Sequence, residues 1–196
     1  NTGTISTATD QITGIDVSGL PDGTLTLSVT LTDPAGNAGS AATDTTTKEA
    51  QAPQVNSITL VGSPAGNATS VTFTVAFTEA ASNITTDDFS LTTTGSAAGT
   101  LASVSSSSGT SVTVTVNSIS GAGTIRLDLD AATDIQDASG NSGPNAYTSG
   151  SVHTVDSVAP AAFGIAWQDA LITATNQAAT DIRFATAEVG TTYAYT

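Results

Sequence analysis

Short runs of this sequence place an apolar residue at every second position, and this alternation favours extended strands. In one run, Leu25, Leu27 and Val29 alternate with Thr and Ser. The same pattern recurs, between stretches of Gly, Asn, Asp and Ser, in residues 71–77, 112–116 and 125–129. A period of two turns one face of a strand toward a core and the other toward solvent. Many such strands, without a segment of helical period, predict an all-β fold built of β-sandwiches.

Charge and residue content restrict the chemistry open to the chain. Its 196 residues include 17 Asp and Glu but only 3 Lys and Arg, which gives a net charge of -14. Such a surplus repels phosphate backbones and anionic lipids, so we expect neither a nucleic-acid partner nor membrane insertion of this segment. The chain has no Cys and one His. It therefore lacks the residues for disulfides, for thiolate metal sites and for most catalytic triads. We therefore expect a protein that is not an enzyme.

Three pairs of segments repeat at offsets of a little over one hundred residues. Pro53 corresponds to Pro160, an offset of 107, and Asp33 corresponds to Asp137, an offset of 104. The paired segments are 47–53 with 154–160, 33–37 with 137–141, and 71–79 with 180–188. This period is about the length of one immunoglobulin-like sandwich.

The repeat divides the chain into one complete module and two incomplete ones. Residues 49–156 are predicted to form the complete immunoglobulin-like module. Its seven strands are predicted near residues 54–61, 71–78, 88–94, 100–105, 111–119, 123–131 and 146–155. Residues 1–48 are predicted to hold the last four strands of a preceding module, and residues 157–196 the first three strands of a following one. The predicted architecture is therefore a tandem array of immunoglobulin-like β-sandwiches.

The chain resembles a known class of repeat. Residues 20–37, LPDGTLTLSVTLTDPAGN, together with 71–79 and Asp88-Phe89, resemble the bacterial immunoglobulin-like repeats of giant surface adhesins. The resemblance extends over essentially the whole chain. It implies a non-catalytic extender segment of a secreted repeats-in-toxin adhesin, located outside the cell at the bacterial surface. It also implies neighbouring repeats of the same adhesin as partners, calcium ions that stiffen the array, and ligand-binding modules that are separate from the extender.

Connectivity gathers acidic residues at the junction before the complete module. In a seven-strand sandwich the incoming linker, the end of the second strand, the start of the third and the sixth-to-seventh loop lie at one pole. With one residue from the preceding module, this pole collects Asp22, Glu49, Glu79, Asp87, Asp88, Asp134 and Asp137. Crowded carboxylates repel one another unless they are protonated or bridged by a cation. Calcium fits, because it takes six to eight hard oxygen ligands in flexible geometry.

The second junction has related acidic residues but lacks a loop. Asp156 lies in the linker and Glu188 ends the second strand of the following module. The loop that is missing there, with its Asp-x-x-Gly-Asn turn, occurs in residues 1–48, where it begins at Asp33. We therefore expect end-to-end complementation between chains through residues 1–48 and 157–196. The alternative for each aspartate is a turn-forming role at a solvated pole, as in the Asp-x-x-Gly-Asn turns at Asp33 and Asp137.

Two other functions are compatible with particular residues. A carbohydrate-binding adhesin module would need aromatic platforms, for which the chain offers Trp167, Tyr193 and Tyr195, although aromatics are only 5% of its residues. Glycoside hydrolysis would need two carboxylates, and Asp128 and Asp130 lie two apart. These two aspartates alternate with apolar residues, which favours the solvated face of a strand. The lone histidine, which has no Ser nucleophile motif to pair with, is predicted to be structural.

Overall fold

A computed structural model describes residues 3–196, and its regular secondary structure is almost entirely β-strand. The strands are β1 (Gly23–Val29), β2 (Ala42–Lys48), β3 (Val55–Leu60), β4 (Val71–Ser82), β5 (Phe89–Gly95), β6 (Ala98–Val104), β7 (Ser108–Ser120), β8 (Ala122–Leu129), β9 (Val152–Asp156), β10 (Gly164–Trp167) and β11 (Ile182–Ala185). One 3-10 turn, Thr86–Asp88, precedes β5. The predicted all-β fold is confirmed.

Seven strands form a central sandwich of two antiparallel sheets. One sheet has the order β3-β4-β7-β6 and the other has the order β5-β8-β9. Lettered A to G along the chain, these are the orders A-B-E-D and C-F-G that constant-type immunoglobulin domains use. Each of the seven strands predicted for residues 49–156 has a counterpart here. The seventh begins at Val152 rather than near residue 146, and Tyr147 makes only an isolated bridge to Leu129. Just before this strand, Ser151 N donates to the Ile58 carbonyl at 2.9 Å, so the backbone there bonds to β3 rather than to β8.

The core lies between the two sheets and is built from alternating apolar positions. β4 contributes Phe73 and Val75, and β8 contributes Ile125, Leu127 and Leu129, all of them fully buried. Residues of β3, β5, β7 and β9 belong to the same cluster. Burial of these side chains is the main favourable contribution to folding, at about 25 cal/mol per Å² of apolar surface.

Asp128 and Asp130, considered above as a hydrolytic pair, are held by neighbours in the β5–β8 sheet. Arg126 Nε donates to Asp128 Oδ1 at 2.6 Å, and Thr92 Oγ1 donates to Asp128 Oδ2 at 2.6 Å. The burial of Asp128 raises its pKa, but the hydrogen bonds from Arg126 and Thr92 together keep the pKa below its ordinary value. Asp130 accepts a hydrogen bond from Ser90. Each carboxylate is thus tied to its own partner, and the prediction of a solvated face is wrong for Asp128, which is buried.

The β1–β2 hairpin has the register of the β8–β9 pair. Thr24 lies opposite Thr47 in the first pair, and Thr124 lies opposite Thr154 in the second. The β10–β11 hairpin repeats the β3–β4 pair in the same way: Ile165 lies opposite Phe184 as Ile58 lies opposite Val75. Within the described residues, each flank contributes two strands. The division of the flanks into half-modules stays a prediction.

The two flanking hairpins differ from their counterparts in burial. Leu27 of β1 is 52% exposed, whereas Leu127, at the same register position in β8, is 0% exposed. Sequence pattern and strand pairing are therefore alike in the two places, while among residues 3–196 a second layer covers the strands of the central sandwich alone.

Replacement of Leu127 by Ala should lower the free energy of unfolding by about 2–5 kcal/mol, because it leaves a cavity between the sheets. The matched change Leu27→Ala should cost about 0.5 kcal/mol or less at low protein concentration. Urea unfolding followed by circular dichroism measures both. Equal costs would show that the two positions are buried alike in solution.

His153 should make the sandwich less stable in mild acid. It is buried in β9, its Nε2 has no hydrogen-bond partner, and burial lowers its pKa from the ordinary value of about 6.5. The unfolded chain therefore takes up the proton first, and stability is lost as the pH falls below about 6.5 toward the folded-state pKa. His153→Gln should remove this loss. Urea titrations of both chains between pH 7.5 and 5 isolate the histidine, because the carboxylates are common to both, and parallel pH curves would contradict the prediction.

Candidate metal centre

Three carboxylates converge where the incoming linker meets the central sandwich. They are Glu49 in the linker between β2 and β3, Glu79 in β4, and Asp137 in the loop between β8 and β9. One oxygen of each lies within 4.8 Å of the other two. Within residues 3–196, no other group of three acidic or histidine side chains meets this spacing. Strand connectivity predicts these three residues at one pole, and the structure places them together.

The side chains of Glu79 and Asp137 are placed by irregular stretches of backbone. Pairing of β4 with β7 shifts register between Ala76 and Ala81, so Glu79 lies in an interruption of the ladder. Such irregularities redirect side chains away from the regular alternation of a strand. Asp137 begins a tight turn in which its Oδ1 accepts from Ser139 N at 2.8 Å and from Asn141 N at 2.9 Å.

Asn141 connects this turn to the linker. Its Nδ2 donates to Asp137 Oδ2 at 2.8 Å and also to Glu49 Oε2. The hydrogen bond from Asn141 is the largest of the influences that lower the pKa of Asp137, to about 2. Asp137 is consequently ionised at neutral pH although it is buried. The asparagine was visible in the sequence as the last residue of the Asp-x-x-Gly-Asn turn, but its reach to the linker was not.

The surroundings of Glu79 raise the pKa of its carboxyl group. Desolvation raises its pKa most, and the charges of Glu49, Asp137 and Asp22 raise it further. The effect of Asp22 shows that the preceding segment brings a fourth carboxylate into this electrostatic environment. The ionised form of Glu79 is therefore disfavoured by its surroundings, as expected for crowded like charges.

Asp22 has partners of its own at the junction. The backbone N–H of Ala50 lowers its pKa most, followed by Lys48, whose Nζ lies 3.2 Å from Asp22 Oδ1. Lys48 Nζ also donates to the Leu20 carbonyl at 2.6 Å. Lys48 was not among the predicted site residues, and nothing in its local sequence distinguishes it from a solvent-exposed lysine.

Asp87, Asp88 and Asp134 form a separate group beside the 3-10 turn. Asp88 is buried, and its Oδ2 accepts from Thr85 N at 2.7 Å in a capping box. Burial raises the pKa of Asp88, and the negative charges of Asp134 and Asp87 raise this pKa further. Of the seven carboxylates predicted at one junction, three meet within 4.8 Å, Asp22 raises the pKa of one of them, and Asp88 is held by its own turn.

The remaining predicted ligands lie outside the central sandwich or at its far end. Asp33 repeats the turn of Asp137: its Oδ1 accepts from Ala35 N at 2.9 Å and from Asn37 N at 2.8 Å. Asp156 ends β9, and Glu188 follows β11. The three residues belong to no cluster of three acidic side chains in the described part of the chain.

The aromatic residues form an exposed row on the last segment. Phe184 lies 5.8 Å from Phe163 and 5.2 Å from Tyr193, and Tyr193 lies 6.5 Å from Tyr195, measured between ring centroids. These rings line an open groove of about 590 Å³. Trp167 lies on the neighbouring β10 and is also exposed.

Comparison with protein-family models, curated proteins and solved structures returns no match for the chain. Among residues 3–196 there is no helix with the length and apolar character needed to cross a bilayer.

Glu79→Gln should raise the melting temperature in buffer containing a chelator, because it removes one of the mutually repelling charges. The control Asp44→Asn removes the same formal charge from an exposed position on β2, outside the cluster, and should change the melting temperature less. Differential scanning calorimetry at pH 7 compares the three chains. A lower melting temperature for Glu79→Gln than for the wild type would contradict the repulsion.

Proposed function

We propose that this chain is a non-catalytic extender segment of a large secreted bacterial surface adhesin, and that calcium stiffens its junctions. The observation that carries the proposal is the meeting of Glu49, Glu79 and Asp137, which come from a linker, a strand and a loop, within 4.8 Å. A cation held there would join the linker to the body of the module. Its effect would be mechanical, because it would fix the angle between successive modules.

The donor set suits calcium. The cluster offers only carboxylate oxygens, which are hard ligands, and no thiolate or imidazole for zinc or copper. Glu49, Glu79 and Asp137 would hold the ion, with Asp22 of the preceding segment close by. The bound ion would supply positive charge beside Glu79. This charge would favour the ionised form of Glu79, which its surroundings now disfavour. Extracellular calcium modules bind at about 0.1–1 mM, so this junction would stiffen after secretion.

The repetition of structure along the chain supports a spacer role. The Asp33 turn and the Asp137 turn have the same hydrogen bonds, and the bridge Thr32–Ala38 has its counterpart in Gln136–Ser142. An array of similar units joined by short linkers extends in one dimension. The lack of Cys suits export without disulfide formation.

Millimolar calcium should raise the melting temperature and narrow the distribution of dimensions seen by small-angle scattering. In Glu79→Gln both responses should be lost or strongly reduced, whereas Asp44→Asn should respond as the wild type does. Magnesium serves as the ion control, since it demands stricter octahedral geometry. Identical melting temperature and scattering with calcium and with chelator would refute the proposal.

Carbohydrate binding is the second candidate, because Trp167, Tyr193 and Tyr195 are all exposed. Sugar sites use such rings as stacking platforms. Binding to a glycan array that disappears in Trp167→Ala would favour this function over the spacer role.

A further inference from the structure

Two amide side chains of the loop between β8 and β9 bind the incoming linker. Asn141 Nδ2 donates to Glu49 Oε2 near the start of the linker. At the end of the linker, the Nδ2 and the backbone N of Asn145 both donate to Gln54 Oε1, each at 3.0 Å. The backbone of Gln54 is also fixed by β4, because Thr78 N donates to its carbonyl at 2.8 Å. The hydrogen bond from Asn141 reaches farther back, to a stretch of the linker that no strand pairing holds.

The amide nitrogen of Asn141 has a carboxylate acceptor on each side. An amide nitrogen carries two hydrogens. Here it donates to Asp137 Oδ2 at 2.8 Å, within the turn, and to Glu49 Oε2 on the linker. The other oxygen of Glu49, Oε1, accepts from Gln51 N at 3.0 Å, which folds the linker around this side chain. Because ionised carboxylates only accept hydrogen bonds, the amide presents its nitrogen to both of them.

Repulsion between like charges opposes this arrangement. Glu49, Glu79 and Asp137 have oxygens within 4.8 Å of one another. Neither of the two ion pairs found among residues 3–196 includes one of these side chains. Glu49 is the exposed member of the three and lies on the segment without strand pairing. The repulsion therefore favours an outward position for Glu49, and the hydrogen bond from Asn141 favours the inward one.

We propose that Asn141 is a positioning residue, whose amide holds the linker on the sandwich before any cation binds and thereby keeps Glu49 among the other carboxylates. The residue type suits this role. A Lys or Arg at the same place would also hold Glu49, but it would fill the cluster with positive charge. An Asp would add a further negative charge and would have no hydrogen to donate. A neutral amide provides the donors and leaves the negative charge of the cluster uncancelled.

The consequence for calcium rests on the proposed function, whereas the hold on the linker requires no ion. A ligand set that is assembled in advance binds its ion more tightly, because less order has to be imposed at the moment of binding. Groups that orient metal ligands without ligating the metal contribute about tenfold or more to metal affinity. Asn141 would contribute in this way by keeping Glu49 within reach of Glu79 and Asp137.

The repeated turn at Asp33 provides a matched comparison. Asn37 occupies the position of Asn141 in this turn, and its Nδ2 donates to Asp33 Oδ2 at 2.9 Å. Among residues 3–196 this nitrogen has no second acceptor, whereas that of Asn141 reaches the linker. A change at Asn37 therefore tests the turn alone, and the same change at Asn141 tests the turn and the linker together.

Backbone NMR relaxation of the full chain, in chelator at pH 7, measures the hold on the linker. In the wild type the amides of Glu49 and Gln51 should have order parameters near the value of rigid backbone, about 0.85. Asn141→Asp keeps the shape of the side chain but donates nothing, so it should lower them toward about 0.6. Asn141→Ala should lower them too, without an added charge. Asn37→Asp adds the same charge in the repeated turn and should leave them unchanged.

The order of Ser139 separates release of the linker from loss of the turn. Asp137 Oδ1 accepts from the backbone N of Ser139 and of Asn141, and neither bond needs the Asn141 side chain. The order parameter of Ser139 should therefore stay at its wild-type value in both Asn141 variants. If it falls, Glu49→Ala removes the same contact from the linker side with the turn intact, and the order parameter of Ala50 should then fall in that variant.

A calcium titration followed by the melting temperature tests the second consequence. The midpoint calcium concentration should be about tenfold higher for Asn141→Ala than for the wild type, because Glu49 has to be brought into place as the ion binds. The control Asn37→Ala should have the wild-type midpoint.

Two results in chelator would overturn the positioning role: wild-type linker order in Asn141→Asp and Asn141→Ala, or an equal loss of that order in Asn37→Asp. The two buffers keep the proposals apart. If calcium changes the melting temperature of no chain while Asn141→Asp still releases the linker, the positioning role stands and the calcium proposal fails. If calcium stabilises the wild type while Asn141→Ala keeps both its linker order and its midpoint, the calcium proposal stands and the positioning role fails.

Discussion

Apolar packing between the two sheets of the central sandwich determines where the other features of this molecule lie. Phe73 and Val75 on one sheet and Leu127 and Leu129 on the other are removed completely from water. Once these faces meet, the strand ends are fixed at two poles, and the loops at each pole must satisfy their backbone groups locally or with water. The acidic cluster of Glu49, Glu79 and Asp137 lies at one of these poles.

The fold brings several carboxylates together at the pole that holds the linker, and the surrounding residues do not neutralise all of them. Asp137 is stabilised as an anion by its own turn, and Asp22 is stabilised by Lys48 and by a backbone amide. Glu79 is raised in pKa by desolvation and by the charges around it. Under the proposed function, a cation that approaches several of these carboxylates at once would offset this repulsion.

In the flanking hairpins, apolar alternation and strand register occur without the burial that usually accompanies them. In β1 and β10 the alternation of side chains and the pairing register match those of the central strands, but Leu27 and Ile165 remain exposed. A period of two specifies which face of a strand is apolar and thereby its register. Burial requires a second layer, which comes from residues far away in the chain or from another molecule.

The sequence predicted the strand content and the alternation, because both depend on neighbours within a few residues, and the repeat, because similar segments recur at offsets of 104 and 107 residues. It also brought Glu49, Glu79 and Asp137 to one pole through connectivity. The contact of Asp88 with Thr85, three residues earlier, is local and went unpredicted. Only the folded structure brings Asn141 to Glu49, which lies 92 residues earlier. Such contacts depend on how two sheets close over a core, and a pattern of local alternation carries no information about that closure.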